Sequence, residues 1–388
     1  MKEIQETITK QLCKTYNEEN IVCPPMLKSD IFTTAAIDNI DHNPSSTTAK
    51  TSFHGTSISL FQHGGIHEPI ETFKYELNNA LKSTEVKLPE EYTNILPTKS
   101  GKPEYPARPT SLIDTFPSKS LVLNEASKWL QNFIETNNEL DKSNCKSFAA
   151  YFSDSRQPIS SKDTSTMLPL LLESVNSSSV VRHCMDIIKK LLAYLNPGQS
   201  TVITGDQPVY AIGKQVQWMY PDVYKDCLWM MGPLHIEMAY MCALGDWLDG
   251  SGWIDIFQKA NINTPGRIES FLKGSNVKRS RYAHQVSLSS LVAISRKAFE
   301  SQEEIASYDD WKNEQRKKSI NAQFWFTVIE MEILLFMFVR SLRQADFDLF
   351  VRSLRDIIPW MFALDHVHYA RWLPVFLEDL LALPSEHQ

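Results

Sequence analysis

Two aspartates stand where a chain could hold a divalent metal. Asp206 follows the β-branched run Thr201-Val-Ile-Thr-Gly205 and precedes Gln207-Pro208, where an amphipathic stretch opens. Asp38 follows a second strand-like run, Ile31-Phe-Thr-Thr-Ala-Ala-Ile37. Each acid is expected at the C-terminal end of a strand. Mg2+ and Mn2+ are hard cations that take carboxylate oxygens. Two acids at one sheet edge could hold such ions against water and a phosphodiester. The competing explanation is local, since Asp also caps turns and the helices that follow strands. The residues alone leave both open.

Further candidates surround this pair. Asp41, just past the first acid, His54, facing it from the neighbouring strand, and His235 would support the ligands from just outside the metal. Asp41 is equally suited to an Asx-turn. Glu237 is the candidate third acid, with His235 beside it, yet on a helix two such positions diverge by about 200°. His366 and His368, in Asp365-His-Val-His-Tyr369, raise a zinc alternative in which His235 or His366 serves a metallohydrolase. A buried polar cluster with Arg371 and Trp372 is the plainer account. Lys273, Lys278, Arg279, Arg281, Arg296 and Lys297 follow one another with no acid between them. That pattern suits a strip contacting nucleic-acid phosphates, or simply a solvated helix face.

Several function classes are excluded. There is no GxxxxGK[ST], GxGxxG or GxSxG, which argues against P-loop NTPases, simple dinucleotide-binding dehydrogenases and α/β-hydrolases. HExxH is also missing. The six cysteines form no CxxC or zinc-ribbon spacing and are expected to be reduced thiols. Met1-Lys-Glu-Ile-Gln-Glu6 lacks the apolar core of a signal peptide, so the chain is expected inside the cell, the nucleus included. The net charge of -7 gives no general attraction to DNA and leaves a local basic groove as the means of binding it. Phe324 to Val339 is the most apolar stretch, but it carries Glu330 and Glu332 and is expected to be a buried helix rather than a membrane span.

The elements that must position these residues follow from periodicity. Residues 1–24 form a helical segment that Cys23-Pro-Pro25 stops. Residues 31–37 and 52–61 alternate as strands and are expected to pair as a hairpin. Residues 64–163 hold eight of the twenty prolines and little periodicity. They are expected to be a long loop excursion, with a short strand near 85–88 and a helix over 124–135. Then come a helix over 180–195, the strand to Asp206, a helix over 209–220, a strand over 227–231 and a helix to about Leu248. This alternation predicts an α/β core with parallel pairing of the last two strands. After Trp253 only helices are expected, with Pro359 and Pro374 kinking or interrupting the last two.

Four stretches carry a resemblance. They are Ala35-Ala-Ile-Asp-Asn-Ile-Asp-His-Asn-Pro44, Ser52-Phe-His-Gly-Thr56, Gly205-Asp-Gln-Pro208 and Ala363-Leu-Asp-His-Val-His-Tyr-Ala-Arg-Trp-Leu373. Together they resemble a repetitive, largely uncharacterised family of invertebrate proteins of mobile-element origin. More distantly the layout is similar to RNase H-like DDE-type transposases, in which a helical insertion separates the second acid from the third. The resemblance implies an RNase H-like mixed-sheet core over 25–252 and a large all-helical, insertion-like region over 253–388. It implies Asp38 and Asp206 as first and second acids, Mg2+ or Mn2+ as cofactor, DNA as partner, and metal-dependent phosphodiester hydrolysis and strand transfer. The usual third acid, a Glu after the insertion, has no clear counterpart before Gln388. Glu237, Asp365 and Glu378 are the substitutes, and a truncated, inactive copy is an expectation too. The alternative function is a catalytically dead module that binds nucleic acid or another protein.

Overall fold

The structure, a computed structural model, describes residues 2–42, 53–63, 86–98, 130, 163–262, 264–302 and 307–383. The expected helix over 124–135 lies outside these apart from residue 130. The chain divides into two compact units, Met1–Arg108 with Pro158–Gly232, and Pro109–Gln157 with Pro233–Gln388.

The first unit is α/β. Its elements are α1 (Lys2–Glu19), β1 (Thr33–His42), β2 (Phe53–Gln62), α2 (Glu90–Thr93), β3 (Thr164–Met167), α3 (Ser178–Leu195), β4 (Thr201–Gly205), α4 (Gln207–Met219), α5 (Pro221–Tyr224) and β5 (Cys227–Met231). The five strands form one mixed sheet in the order β3-β2-β1-β4-β5. β1 and β2 pair antiparallel over ten residues, from Thr33 opposite Gln62 to His42 opposite Phe53. β4 runs parallel to both β1 and β5.

Alternation sorts the side chains. Ala35, Ile37, Ile58, Leu60, Ile203, Trp229 and Met231 are buried on one face. The intervening Thr34, Ala36, Thr204 and Met230 are half-buried. α3 begins at Ser177, whose hydroxyl accepts from the Val180 amide at 3.2 Å, and buries Val181, Cys184, Ile188, Leu191 and Leu192 at helical spacing. α4 fits closely over β5. A Cβ at Gly213 would lie 2.2 Å from the Trp229 ring, so only glycine allows this approach.

Three sequence expectations change here. β1 does not stop at Ile37 but runs on to His42, because β2 offers a partner along its whole length. The expected strand near 85–88 is absent over its described residues 86–88. Instead the Lys87 carbonyl accepts from Asn17 Nδ2 at 2.8 Å. Residues 86–98, within the expected excursion, also fold back on the unit: Tyr92 is buried and its carbonyl meets His183 Nε2 at 2.8 Å. The four-residue strand β3 escaped the periodicity argument because it is too short to show one.

The second unit is helical among its described residues. Its helices are α6 (Pro233–Leu248), α7 (Trp253–Lys259), α8 (Pro265–Leu272), α9 (Val277–Glu300), α10 (Tyr308–Lys318), α11 (Ile320–Gln344), α12 (Phe347–Ala363) and α13 (Val367–Leu381). α11 is the hub, packed by α6, α9, α10 and α12. It is long and apolar enough to cross a membrane, but Met331 and Ile333 to Val339 are buried within the unit, as the charges in this stretch led us to expect. α6 therefore belongs to this unit, and the break falls at Gly232–Pro233 rather than near Trp253. Pro359 and Pro374 lie inside α12 and α13, which continue through them. Of the kink or interruption expected there, the interruption does not occur, since both prolines sit in helices held by buried flanking residues.

One polar pair is sealed in this helical core. His284 Nδ1 lies 3.1 Å from Glu332 Oε1, and both side chains are fully buried. Burial raises the Glu332 pKa, with the His284 and Ser287 interactions opposing it.

Candidate functional site

The site most relevant to chemistry is where the C-terminal end of β4 meets β1. Asp38 lies inside β1 rather than at its end as expected, because pairing with β2 extends that strand to His42. Ile37 is the register partner of Gly205, the last pair of the β1–β4 ladder; Asp38 follows Ile37 within β1, and Asp206 follows Gly205 just past the end of β4. Neighbouring strands lie about 4.8 Å apart. The two acids therefore start from adjacent backbone positions, with the same phase in the pleat.

Each acid also has a local role. Asp206 caps α4: its Oδ1 accepts from the Val209 amide at 3.0 Å. Pro208 stands in the first turn, where its missing N–H costs nothing. The Gly232 amide donates to the Gly205 carbonyl at 2.8 Å, tying the start of this turn to the end of β5. Asp38 is exposed, and its Oδ1 accepts from the Asn39 amide at 2.8 Å. A carboxylate accepts on two oxygens, so neither role is incompatible with binding a cation. Two carboxylates, as a donor set, would suit Mg2+ or Mn2+ better than a soft metal.

The remaining candidates are distributed differently. Asp41 is opposite His54 in the β1–β2 register. It is three residues from Asp38, so strand alternation assigns the two positions to opposite faces. His235 is exposed at the start of α6, and its carbonyl accepts from Tyr369 Oη at 3.2 Å. Glu237 is buried, and a two-pronged contact holds it: Arg281 Nε donates to Oε1 at 2.7 Å and Nη2 to Oε2 at 2.6 Å.

The basic residues do not make one continuous strip. Lys273 follows α8. Lys278, Arg279 and Arg281 open α9, whereas Arg296 and Lys297 lie five turns later, about 27 Å along the axis. Lys273, Lys278, Arg279 and Lys297 are exposed. Arg281 is committed to Glu237, and the Arg296 guanidinium lies over the Tyr308 ring at 5.1 Å.

A second cluster was only half visible in the sequence. His366 Nε2 lies 3.0 Å from Asp246 Oδ2, and the Cys242 thiol completes a group whose donor atoms all lie within 4.8 Å of one another. Burial, and then the neighbouring Asp246 carboxylate, raise the Cys242 thiol pKa. His366 was a candidate from its local pattern. Cys242 and Asp246 were missed, although their four-residue spacing puts them on one face of a helix and was the signal available.

The profile described as Domain of unknown function (DUF8702) matches residues 147–315 and 303–388. No curated protein matches the chain. No solved structure matches it either.

Proposed function

The chain belongs to the DUF8702 family, and from its own geometry we propose an RNase H-like core carrying a two-carboxylate, divalent-metal site for phosphodiester chemistry on DNA. One observation carries the reading: Asp38 and Asp206 continue a parallel register from Ile37 and Gly205. A DDE-type layout needs its first strand beside its fourth, with an acid at the same level on each. The order β3-β2-β1-β4-β5 supports that requirement. Mg2+ or Mn2+, when bound, supplies charge to stabilise the leaving oxygen and lowers the pKa of a bound water. The protein's part would be to hold two oxygen donors next to the last pair of the β1–β4 ladder, with Asp206 further fixed by capping α4.

The test is cleavage of supercoiled and linear DNA with Mg2+ or Mn2+, comparing wild type with Asp38→Asn and Asp206→Asn. Asn caps helices as well as Asp does, so Asp206→Asn keeps the α4 cap and removes only the charge. Loss of at least about 100-fold in rate, with unchanged unfolding, is the expected result. Equal nicking by wild type and Asp206→Asn refutes the assignment.

A second reading is a DNA-binding module without catalysis. It is favoured by the local hydrogen bonds of both aspartates and by the exposed Lys273, Lys278, Arg279 and Lys297. It predicts salt-sensitive DNA binding that weakens in Lys278→Ala/Arg279→Ala and ignores Asp206→Asn. Binding that does not respond to salt counts against it.

A further inference from the structure

We propose that Cys242, Asp246 and His366 form a zinc site in the helical unit, with one coordination position left for water or an incoming donor. The argument starts from donor chemistry. A thiolate, an imidazole and a carboxylate are the ligand types that Zn2+ accepts, and the sulfur disfavours Mg2+ and Ca2+. Three protein ligands with an open fourth position is a recurrent tetrahedral zinc arrangement.

Geometry supports the chemistry. Ligand atoms around tetrahedral Zn2+ are separated by about 3.3–3.8 Å, given bonds of about 2.0–2.3 Å. Here the His366 Nε2 to Asp246 Oδ2 separation is 3.0 Å, and no pair of donor atoms exceeds 4.8 Å. Small rotamer adjustments take the set to coordination distances. The ion would replace the direct His366–Asp246 contact and meet both of its atoms.

The donors also sit on backbone that is held in place. Cys242 and Asp246 are one turn apart on α6, whose Tyr240 is buried and donates to the Met331 carbonyl of α11 at 3.2 Å. His366 stands at the join of α12 and α13. Its amide donates to the Met361 carbonyl at 2.9 Å, closing the end of α12. The preceding Asp365 has φ +56°, a left-handed conformation unfavourable for a residue with a Cβ, and this turns the chain so that His366 opens α13. One turn further, Tyr369 Oη donates to the His235 carbonyl on α6 at 3.2 Å, which pins α13 to the helix carrying the other two donors. Ligands on helices fixed this way meet the requirement for a preorganised site.

The experiment uses the full chain, stripped with chelator and then titrated with Co2+. Thiolate-to-cobalt absorption reports sulfur ligation, and Zn2+ affinity follows from competition with a chromophoric chelator. One equivalent per chain is expected, with the band absent in Cys242→Ser and Zn2+ affinity at least about 10-fold weaker in His366→Gln. Asp246→Asn provides the same affinity readout should Cys242→Ser fail to fold. The proposal is overturned by a wild-type chain without the band, by a band that survives in Cys242→Ser, or by unchanged Zn2+ affinity in both His366→Gln and Asp246→Asn. None of these readouts depends on DNA cleavage, so the outcome is independent of the proposed phosphodiester site.

Discussion

Replacing Arg281 with Ala should expose what holds the basic end of α9 together. Glu237 is 2% exposed and its side chain accepts two short bonds from the guanidinium, which is itself 25% exposed. Removing one member of a buried ion pair costs about 3–5 kcal/mol, since the other charge is left without compensation. Water already reaches part of Arg281, so we take the lower end, about 3 kcal/mol. In a unit of 150–250 residues each kcal/mol moves Tm by about 2–4 °C, which gives a fall of about 6–12 °C. The assay is thermal unfolding of the full chain by calorimetry, alongside DNA binding of the same variant. The companion Arg281→Ala/Glu237→Leu should recover most of the loss, because an apolar pair can replace a buried ionic one at little cost. A Tm change below about 2 °C in Arg281→Ala, accompanied by loss of DNA binding, refutes this reasoning. It would mean that Arg281 serves phosphate and that Glu237 finds its compensation elsewhere.

Two further perturbations test the packing and the buried charge. Gly213→Ala places a Cβ 2.2 Å from Trp229, a ring 1% exposed, and should destabilise by about 1–3 kcal/mol in denaturant unfolding; an unchanged midpoint would show that α4 is not seated on β5. Glu332 binds its proton more tightly folded than unfolded, because burial raises its pKa above 4.5. Its contribution to stability is therefore fully present below about pH 4.5 and is lost as pH rises through the folded value. The Tm of wild type relative to Glu332→Gln should accordingly fall across that window, and a difference that stays constant with pH contradicts the buried placement.

Much of the α/β unit was legible because its signals are local. β5 was read to the residue, and α3, β4 and α4 to within two residues at each end, since burial on one face imprints a period on the sequence. The hairpin of β1 and β2 followed from two alternating runs separated by a short connection. The length of β1 did not, because Asp38, Asn39, Asp41 and His42 read as a polar turn and are extended alongside β2. The prolines of α12 and α13 do not interrupt their helices for the same reason: tertiary packing outweighs a local break in helix propensity.

By itself the sequence determined the element types and the place of Asp206 between a strand and a helix, through periodicity, capping chemistry and turn residues acting over a few positions, whereas Asp38, expected at a strand end, lies inside β1. Only the tertiary structure decided that Asp38 and Asp206, 168 positions apart, directly follow the paired residues Ile37 and Gly205 of adjacent parallel strands. It likewise paired Arg281 with Glu237 and brought Cys242 and Asp246 to His366. The physical reason is one of range. Backbone propensities act within a turn or a strand, whereas charge pairing and metal-ligand geometry depend on which faces burial forces together across the fold.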